Sequence, residues 1–167
     1  MKKNKISKNW INKQRRDIYV RQSKVEGYRA RSAYKLIEIN EKFKIFKGGM
    51  SVIDIGAAPG SWSQYAIKLL KSGKLISVDI KNMEPIGTSI QIRGDFTETK
   101  TQDEIKKKLN GKVDVVMSDM AVDTTGIKNI DSIQTGELCM EAMFFAKDLL
   151  KENGYFISKI FMGGSFN

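Results

Sequence analysis

The stretch of sequence that most strongly limits the choice of fold is IDIGAAPGSWS, residues 53–63. A short apolar run leads into it, which predicts a strand, and a helical pattern begins near its end. Its glycines and small residues let the backbone approach a ligand closely, and the start of the helix presents free N–H groups. In open α/β sheets, ligands bind at the carboxyl ends of the strands. The stretch therefore predicts a ligand-binding loop in such a sheet.

Short apolar runs and helical patterns alternate along the rest of the chain. Continuous apolar strands separated by helices are typical of a parallel sheet covered on both faces, so we expect one doubly wound α/β domain. The predicted strands cover residues 50–55, 74–80, 89–93, 113–118 and 155–161, and the predicted helices cover 32–42, 62–71, 101–109 and 131–151. In the last helix, one apolar stripe is predicted to contain Leu138, Met143, Ala146, Leu149 and Leu150.

The positive charge of the chain is concentrated at its amino terminus. The 167 residues carry a net charge of +10, and residues 1–31 alone hold eleven Lys or Arg against two acids. Trp10, Tyr19 and Tyr28 in this segment could stack on bases or pack on the domain. A basic arm suits a polyanion, because each neutralised phosphate releases condensed counterions. A solvated tail explains the charge equally well, and an anionic membrane surface explains it less well. We predict a basic arm over residues 1–31 and a domain over 32–167.

Composition excludes several classes of protein. The sequence has no histidine, which excludes zinc sites built on His and nucleophilic sites of the Ser-His or Cys-His type. The single cysteine, Cys139, cannot form an internal disulfide, so a reducing compartment is expected: the cytoplasm, or an organelle in a eukaryote. No apolar run approaches the roughly 20 residues that span a bilayer. The basic start lacks the apolar segment of a secretory signal. We expect a monomer that does not bind membranes and holds no metal.

Carboxylates stand at the ends of successive predicted strands. Asp79 ends the second strand, 19 residues beyond Gly60, and a carboxylate there can accept both hydroxyls of a ribose. Asp95, in the sequence GDF, can accept from an adenine amino group while the phenylalanine borders the ring, and Asp119 ends the fourth strand. One such residue alone is more often structural, but three beside a glycine loop predict a nucleotide-like cofactor. The loop reads Gly-x-x-x-Gly with a proline inside, which fits the dinucleotide pattern Gly-x-Gly-x-x-Gly poorly.

Together these motifs resemble the FtsJ-type (RlmE) ribosomal RNA 2′-O-ribose methyltransferases. The similarity runs from about residue 29 to 163, through RSAYKL (31–36), the loop at 54–64, GDF (94–96), SDMA (118–121) and SKIF (158–161). The resemblance implies a Rossmann-like methyltransferase fold, S-adenosylmethionine as cofactor, and a uridine ribose of large-subunit ribosomal RNA as target, with a tRNA ribose as the alternative. It also implies contacts to the cofactor from Gly60, Trp62, Asp79, Asp95 and Asp119. On physical grounds, a tryptophan in a first helical turn packs about as often as it binds.

The family's catalytic set is Lys-Asp-Lys-Glu, and its first three members fall on Lys35, Asp119 and Lys159. Methyl transfer requires an in-line approach of the ribose oxygen, so positioning contributes much of the catalysis. The hydroxyl must also lose a proton, and a lysine whose pKa falls in an enclosed, positively charged site can act as base. Lys159, expected at the carboxyl end of the fifth strand, is the best candidate. Asp119 would orient it, and Lys35 would hold the hydroxyl or a phosphate.

The sequence departs from the family's pattern in three places. Val122 and Asp123 stand where the family usually has Pro-Asn, and Ser61 replaces a common glycine. The family also continues beyond the point that matches Asn167, with two more strands, a helix and the catalytic glutamate. We therefore expect a sheet truncated after its fifth strand, with residues 155–161 as an uncovered apolar edge. Two other classes remain: a non-catalytic RNA-binding remnant, and a nicotinamide-dependent oxidoreductase.

Overall fold

A five-stranded parallel sheet forms the centre of this computed structural model, which describes residues 17–120 and 127–161. The strands lie in the order β3-β2-β1-β4-β5, and every neighbouring pair is parallel. This arrangement confirms the predicted α/β fold. The strands are β1 (Ser51–Ile55), β2 (Lys74–Asp79), β3 (Ile90–Arg93), β4 (Val113–Ser118) and β5 (Leu150–Ser158).

Helices cover both faces of the sheet. Val52 and Leu75 belong to a core cluster shared with α2 and α3, whereas Ile53 and Ile76 belong to a cluster shared with α4 and α5. Because successive strand residues point to opposite faces, strands buried on both faces are mainly apolar, with buried polar exceptions such as Asp54. Within the described ranges, none of the helices combines the length and apolarity that crossing a membrane requires. The helices are α1 (Ile18–Val25), α2 (Ala33–Phe43), α3 (Ser61–Leu70), α4 (Thr99–Lys108) and α5 (Lys128–Leu149).

The described part of the predicted arm, residues 17–31, contains α1 and lies against the domain. The ring of Tyr19 is centred 5.4 Å from that of Tyr34 on α2, and the ring of Tyr28 meets Tyr34 edge-on at 6.0 Å. Of the two roles open to these aromatics, packing on the domain is therefore observed. Trp10 lies outside the described residues.

Two predictions about the last helix and strand are wrong in detail. β5 covers Leu150–Ser158 rather than 155–161, because Leu150 already pairs with Val113 and an irregular stretch over 151–154 leads to the regular pairing that resumes at Tyr155. Asn153 adopts a left-handed backbone (φ 64°) within this irregularity, as in a β-bulge. In α5 the buried residues include Ala142, Phe145 and Ala146, while Met143 is 39% exposed. Met143 lies about 100° around the helix from Ala142, which turns it away from the sheet.

Candidate functional site

A cavity of about 650 Å³ opens at the carboxyl ends of the strands, a volume within the range of small-molecule sites. Four of the residues predicted from the sequence line it: Asp79, Asp95, Asp119 and Lys159. Segments that follow all five strands contribute to its wall, as expected for a parallel sheet. The lining consists of Gly56, Ala58, Val78, Asp79, Ile80, Lys81, Gly94, Asp95, Phe96, Thr97, Asp119, Met120, Leu138 and Lys159.

Gly56 brings the end of β1 close to the end of β4. Its φ is +71°, and a Cβ there would overlap the Met120 side chain and lie 3.0 Å from Met120 Cα. A larger residue would therefore push the two strand ends apart. The N–H groups of Gly56 and Ala57 both donate to Val78 O, at 2.9 and 3.0 Å, which ties the loop to the end of β2. The glycine thus lets the loop after β1 pack closely against Met120, which lines the cavity.

Asp79 is an acceptor already oriented by the backbone. Its Oδ2 accepts from Ala58 N at 2.9 Å, and its Oδ1 accepts from Lys81 N at 2.8 Å. Each carboxylate oxygen can accept a second hydrogen bond. The side chain is therefore fixed toward the cavity and can still receive two hydroxyl donors.

Asp95 is partly used by its own turn. Its Oδ1 accepts from both the N–H and the hydroxyl of Thr97, at 2.9 and 2.8 Å. Its Oδ2 has no hydrogen-bond partner among the residues that the structure describes. Phe96 also lines the cavity, but it is buried and meets Phe145 edge-on at 5.2 Å. One carboxylate oxygen of Asp95 thus remains for a ligand.

Asp119 and Lys159 form an ion pair at the edge of the cavity. Their side chains are only 16% and 20% exposed, and Lys159 Nζ also donates to Asp119 O at 3.4 Å. Lys159 follows β5 instead of lying within it, and its N–H donates to Ser118 O at 3.0 Å, which extends the pairing of β4 with β5. Each charge compensates for the partial burial of the other. The pair places an amine and a carboxylate side by side at one wall of the cavity.

Gly60, Trp62 and Lys35 do not line this cavity. The Trp62 side chain is 3% exposed within the core, and its Nε1 donates to Ser32 O at 2.9 Å. Gly60 has φ +107° and is the N-cap of α3, and a Cβ there would overlap Ile86. Lys35 is exposed on α2, and its ammonium pairs with none of the described carboxylates. The structure thus brings together only part of the residue set taken from the family.

Asp54 lies behind the cavity and is fully buried. Its Oδ2 accepts from Ser63 Oγ at 2.6 Å, and Ser63 Oγ lies 2.7 Å from Ser77 Oγ. Its Oδ1 has no partner among the described residues. The pKa of Asp54 is raised to about 7: burial raises it most, the hydrogen bond from Ser63 lowers it, and the nearby charges of Asp119 and Asp79 raise it. The sequence pattern gave no signal for this shift, since it depends on strands that meet only in the fold.

The raised pKa of Asp54 predicts a specific pH dependence of stability. In the unfolded chain Asp54 ionises near pH 4, whereas in the folded protein it stays protonated to about pH 7. The folded state holds the proton more tightly, so this stabilisation is complete below pH 4 and is lost as the pH rises to 7. The free energy of unfolding of Asp54→Asn, relative to the parent, should increase by up to roughly 1.4 kcal/mol per pH unit over this interval. Urea titrations of both proteins at pH 4, 5, 6 and 7 measure this difference in the free energy of unfolding.

The matched control is Asp103→Asn, which changes an exposed aspartate on α4. Its stability difference from the parent should stay constant over the same pH range. If the free energies of unfolding of the parent and of Asp54→Asn changed with pH in parallel, Asp54 would have the same pKa in the folded and unfolded states, which contradicts the prediction.

Comparisons with known proteins identify the family of this chain. The model of the FtsJ-like methyltransferase family matches residues 28–167. The chain is 69% identical, over its whole length and 82% of the relative, to ribosomal RNA large subunit methyltransferase E of Pelagibacter ubique. It is 48% identical to the protein of the same name in Rickettsia akari, over 96% of this chain and 74% of that one.

A solved structure gives the same result for the fold. A ribosomal RNA methyltransferase from Plasmodium falciparum superposes with a TM-score of 0.75 at 32% identity, over 82% of this chain and 80% of that chain. The resemblance found in the loop and strand-end motifs is therefore confirmed over nearly the whole sequence. The chain belongs to the FtsJ-like methyltransferase family.

Proposed function

We propose that this chain uses S-adenosylmethionine to methylate the 2′-hydroxyl of a ribose, expected to be a uridine, in large-subunit ribosomal RNA. The observation that carries the proposal is the Asp119–Lys159 pair on the wall of a cavity that Asp79 and Asp95 also line. An amine beside an orienting carboxylate suits removal of a hydroxyl proton. The names of the relatives from Pelagibacter and Rickettsia support the choice of ribosomal RNA.

The cavity has the chemistry that a nucleoside cofactor requires. Asp79 keeps acceptor capacity for two ribose hydroxyls, and Asp95 Oδ2 can accept from an exocyclic amine. Three carboxylates and two lysines line the space, which favours a ligand with a positive charge. S-adenosylmethionine, when bound, supplies a methyl group on a positively charged sulfur. The lining residues therefore fit this cofactor better than they fit a negatively charged ligand.

Gly60 and Trp62 belong to the proposed cofactor site through their position at the start of α3. The first turn of a helix leaves backbone N–H groups without partners in the helix, and these suit a carboxylate. The indole of Trp62 is committed to Ser32 O, so its contribution would come from the backbone. The proposal therefore gives the tryptophan side chain a packing role and the peptide groups around it a binding role.

Lys159 is the proposed base, and Asp119 the residue that orients it. The ion pair fixes Lys159 Nζ at the cavity wall, where a ribose hydroxyl would enter. Lys35 is exposed on α2, which suits a contact to an RNA phosphate. The basic arm would add phosphate contacts, since residues 1–16 contain seven Lys or Arg and no acid. The monomeric state and the cytoplasmic location expected from the sequence remain predictions.

A methyl-transfer assay tests this function. Tritiated S-adenosylmethionine is supplied with large ribosomal subunits from cells that lack the modification, and in parallel with unmodified tRNA. Label is expected in the large subunit only, at a nucleotide whose 3′ linkage resists alkali because the 2′ oxygen is methylated. Transfer to tRNA instead would identify a tRNA ribose as the substrate. Cofactor binding without any transfer would favour the non-catalytic remnant.

Deleting residues 1–16 tests the RNA part of the proposal separately. The deletion removes seven positive charges, so the affinity for RNA should fall and its salt dependence should flatten by roughly 0.7–0.9 in log–log slope per lost phosphate contact. A chain in which these seven residues are all glutamine keeps the length and should behave like the deletion. If both variants keep the parental slope, the arm does not contact phosphates.

A further inference from the structure

The guanidinium of Arg29 joins the cofactor loop to the loop between β2 and β3. Its Nη1 donates to Pro59 O at 3.0 Å and to Glu84 O at 2.9 Å, and its Nη2 donates to Pro85 O at 3.0 Å. Three carbonyls from two loops thus converge on one side chain. A planar guanidinium with a fixed set of donors can satisfy this geometry, whereas a single ammonium cannot reproduce it.

Each of the two loops contains one residue that cannot donate a backbone hydrogen bond. The chain has only two prolines, and one stands in each loop, at positions 59 and 85. A proline has no N–H, so neither residue can donate to the other loop. Among the described residues, Arg29 is the sole hydrogen-bond partner of Pro59 O and of Pro85 O. Without Arg29 these carbonyls would bind water, and the loops would lose the hydrogen bonds that bridge them, leaving the packing of Gly60 against Ile86.

Arg29 is itself held in place. Its backbone N–H donates to Gln64 Oε1 at 2.9 Å, and Gln64 Nε2 donates to Gly27 O at 3.2 Å. Gln64 belongs to α3, the helix that the cofactor loop opens. A Cβ on Gly60 would lie 3.0 Å from Arg29 Nη1, so the guanidinium sits directly against the loop backbone. The segment that carries Arg29 is thereby docked on the start of α3.

The contact reaches the cofactor site through a short path. Pro59, whose carbonyl Arg29 binds, directly follows Ala58. The N–H of Ala58 donates to Asp79 Oδ2, the carboxylate proposed to accept the ribose hydroxyls. We propose that Arg29 is a positioning residue for the cofactor: by bridging the two loops it sets the loop backbone and, through Ala58, the orientation of Asp79. The identity of the ligand in this inference rests on the function proposed above.

Arg29→Lys tests the inference, because it keeps the charge and loses the bridging geometry. Calorimetry without RNA should show S-adenosylmethionine affinity reduced by about 10-fold or more, as expected when hydrogen bonds to a charged group are lost. Arg31→Lys is the matched control, since Arg31 pairs with Asp17 and, among the described residues, its side chain forms no hydrogen bond with either loop. It should change the affinity by less than about 2-fold. The melting temperature of each ligand-free variant shows whether the fold is retained.

Hydrogen exchange of the ligand-free protein gives a readout that does not depend on the cofactor. Amides of residues 56–63 and 80–89 should exchange faster in Arg29→Lys than in the parent, while amides of β1 and β4 keep their protection. Parental cofactor affinity in Arg29→Lys, an equal loss in Arg31→Lys, or unchanged exchange in both loops would each overturn the inference. A parent that binds no S-adenosylmethionine while the exchange result holds would overturn the proposed function and leave the bridging role supported.

Discussion

Lys159→Ala is expected to lower methyl transfer to RNA by about 10²–10⁴-fold, the usual contribution of a general base. Lys159 Nζ is held against Asp119 at the cavity wall, where it would take the hydroxyl proton in its neutral amine form, and alanine leaves no group there to do so. S-adenosylmethionine binding should survive, because Asp79 and Asp95 lie at other strand ends. Single-turnover transfer to large ribosomal subunits, with calorimetry of the cofactor, separates the two effects.

Lys151→Ala is the matched control for Lys159→Ala. Both lysines pair with an aspartate of the neighbouring strand region, but Lys151 pairs with Asp114 at the opposite end of the sheet, at 2.8 Å. Lys151 is half exposed in that pair, so its loss should cost little stability and no activity. Near-parental transfer in Lys159→Ala would assign the base elsewhere, with Asp119 the next residue to substitute.

Asp79→Ala is expected to weaken S-adenosylmethionine binding by about 1.5–3 kcal/mol, the range for hydrogen bonds to charged groups. The alanine removes an acceptor that the N–H groups of Ala58 and Lys81 hold in position. Asp79→Asn keeps the shape and one acceptor oxygen, so its affinity should fall between those of the parent and the alanine variant. Titration calorimetry with S-adenosylmethionine and with NAD measures both the loss and the preference.

The preference between the two ligands decides the cofactor assignment. The parent should bind S-adenosylmethionine more tightly than NAD, since the loop lacks the glycine pattern of dinucleotide sites. Tighter binding of NAD would contradict the assignment. If Asp79→Ala bound S-adenosylmethionine with parental affinity, the cofactor assignment would stand, but Asp79 would not be one of the residues that bind it.

Much of the fold could be predicted because the central strands are buried on both faces. Predominantly apolar runs such as 113–118 are then visible in the sequence, and the parallel arrangement places the residues that follow them at one edge. That geometry is why Asp79, Asp119 and Lys159 could be grouped before the structure was known. The prediction was weaker where a strand is polar, as in residues 151–154 of β5, which lie at the sheet edge and resemble a loop.

The parts of the site that the sequence did not reveal depend on contacts between distant segments. In the sequence, Arg29 is indistinguishable from the other positive charges of the arm. Only the fold shows that its guanidinium binds loops 30 and 56 residues away. Trp62 fitted either packing or binding, and the structure places its side chain in the core. Local patterns identify the strand ends, but they do not report which side chains connect the loops between them.

The irregular pairing of β4 with β5 separates the proposed catalytic end of β5 from the helix before it. Val113 pairs with Leu150 and Val115 pairs with Tyr155, so three additional residues of β5 are accommodated between these two points. Beyond them the register is regular up to Ser118 and Ser158. Insertions or deletions among residues 151–154 can therefore be absorbed without moving Lys159, whereas a one-residue change between 155 and 158 would turn Lys159 to the opposite face. Relatives should vary in length before this point and keep the same length after it.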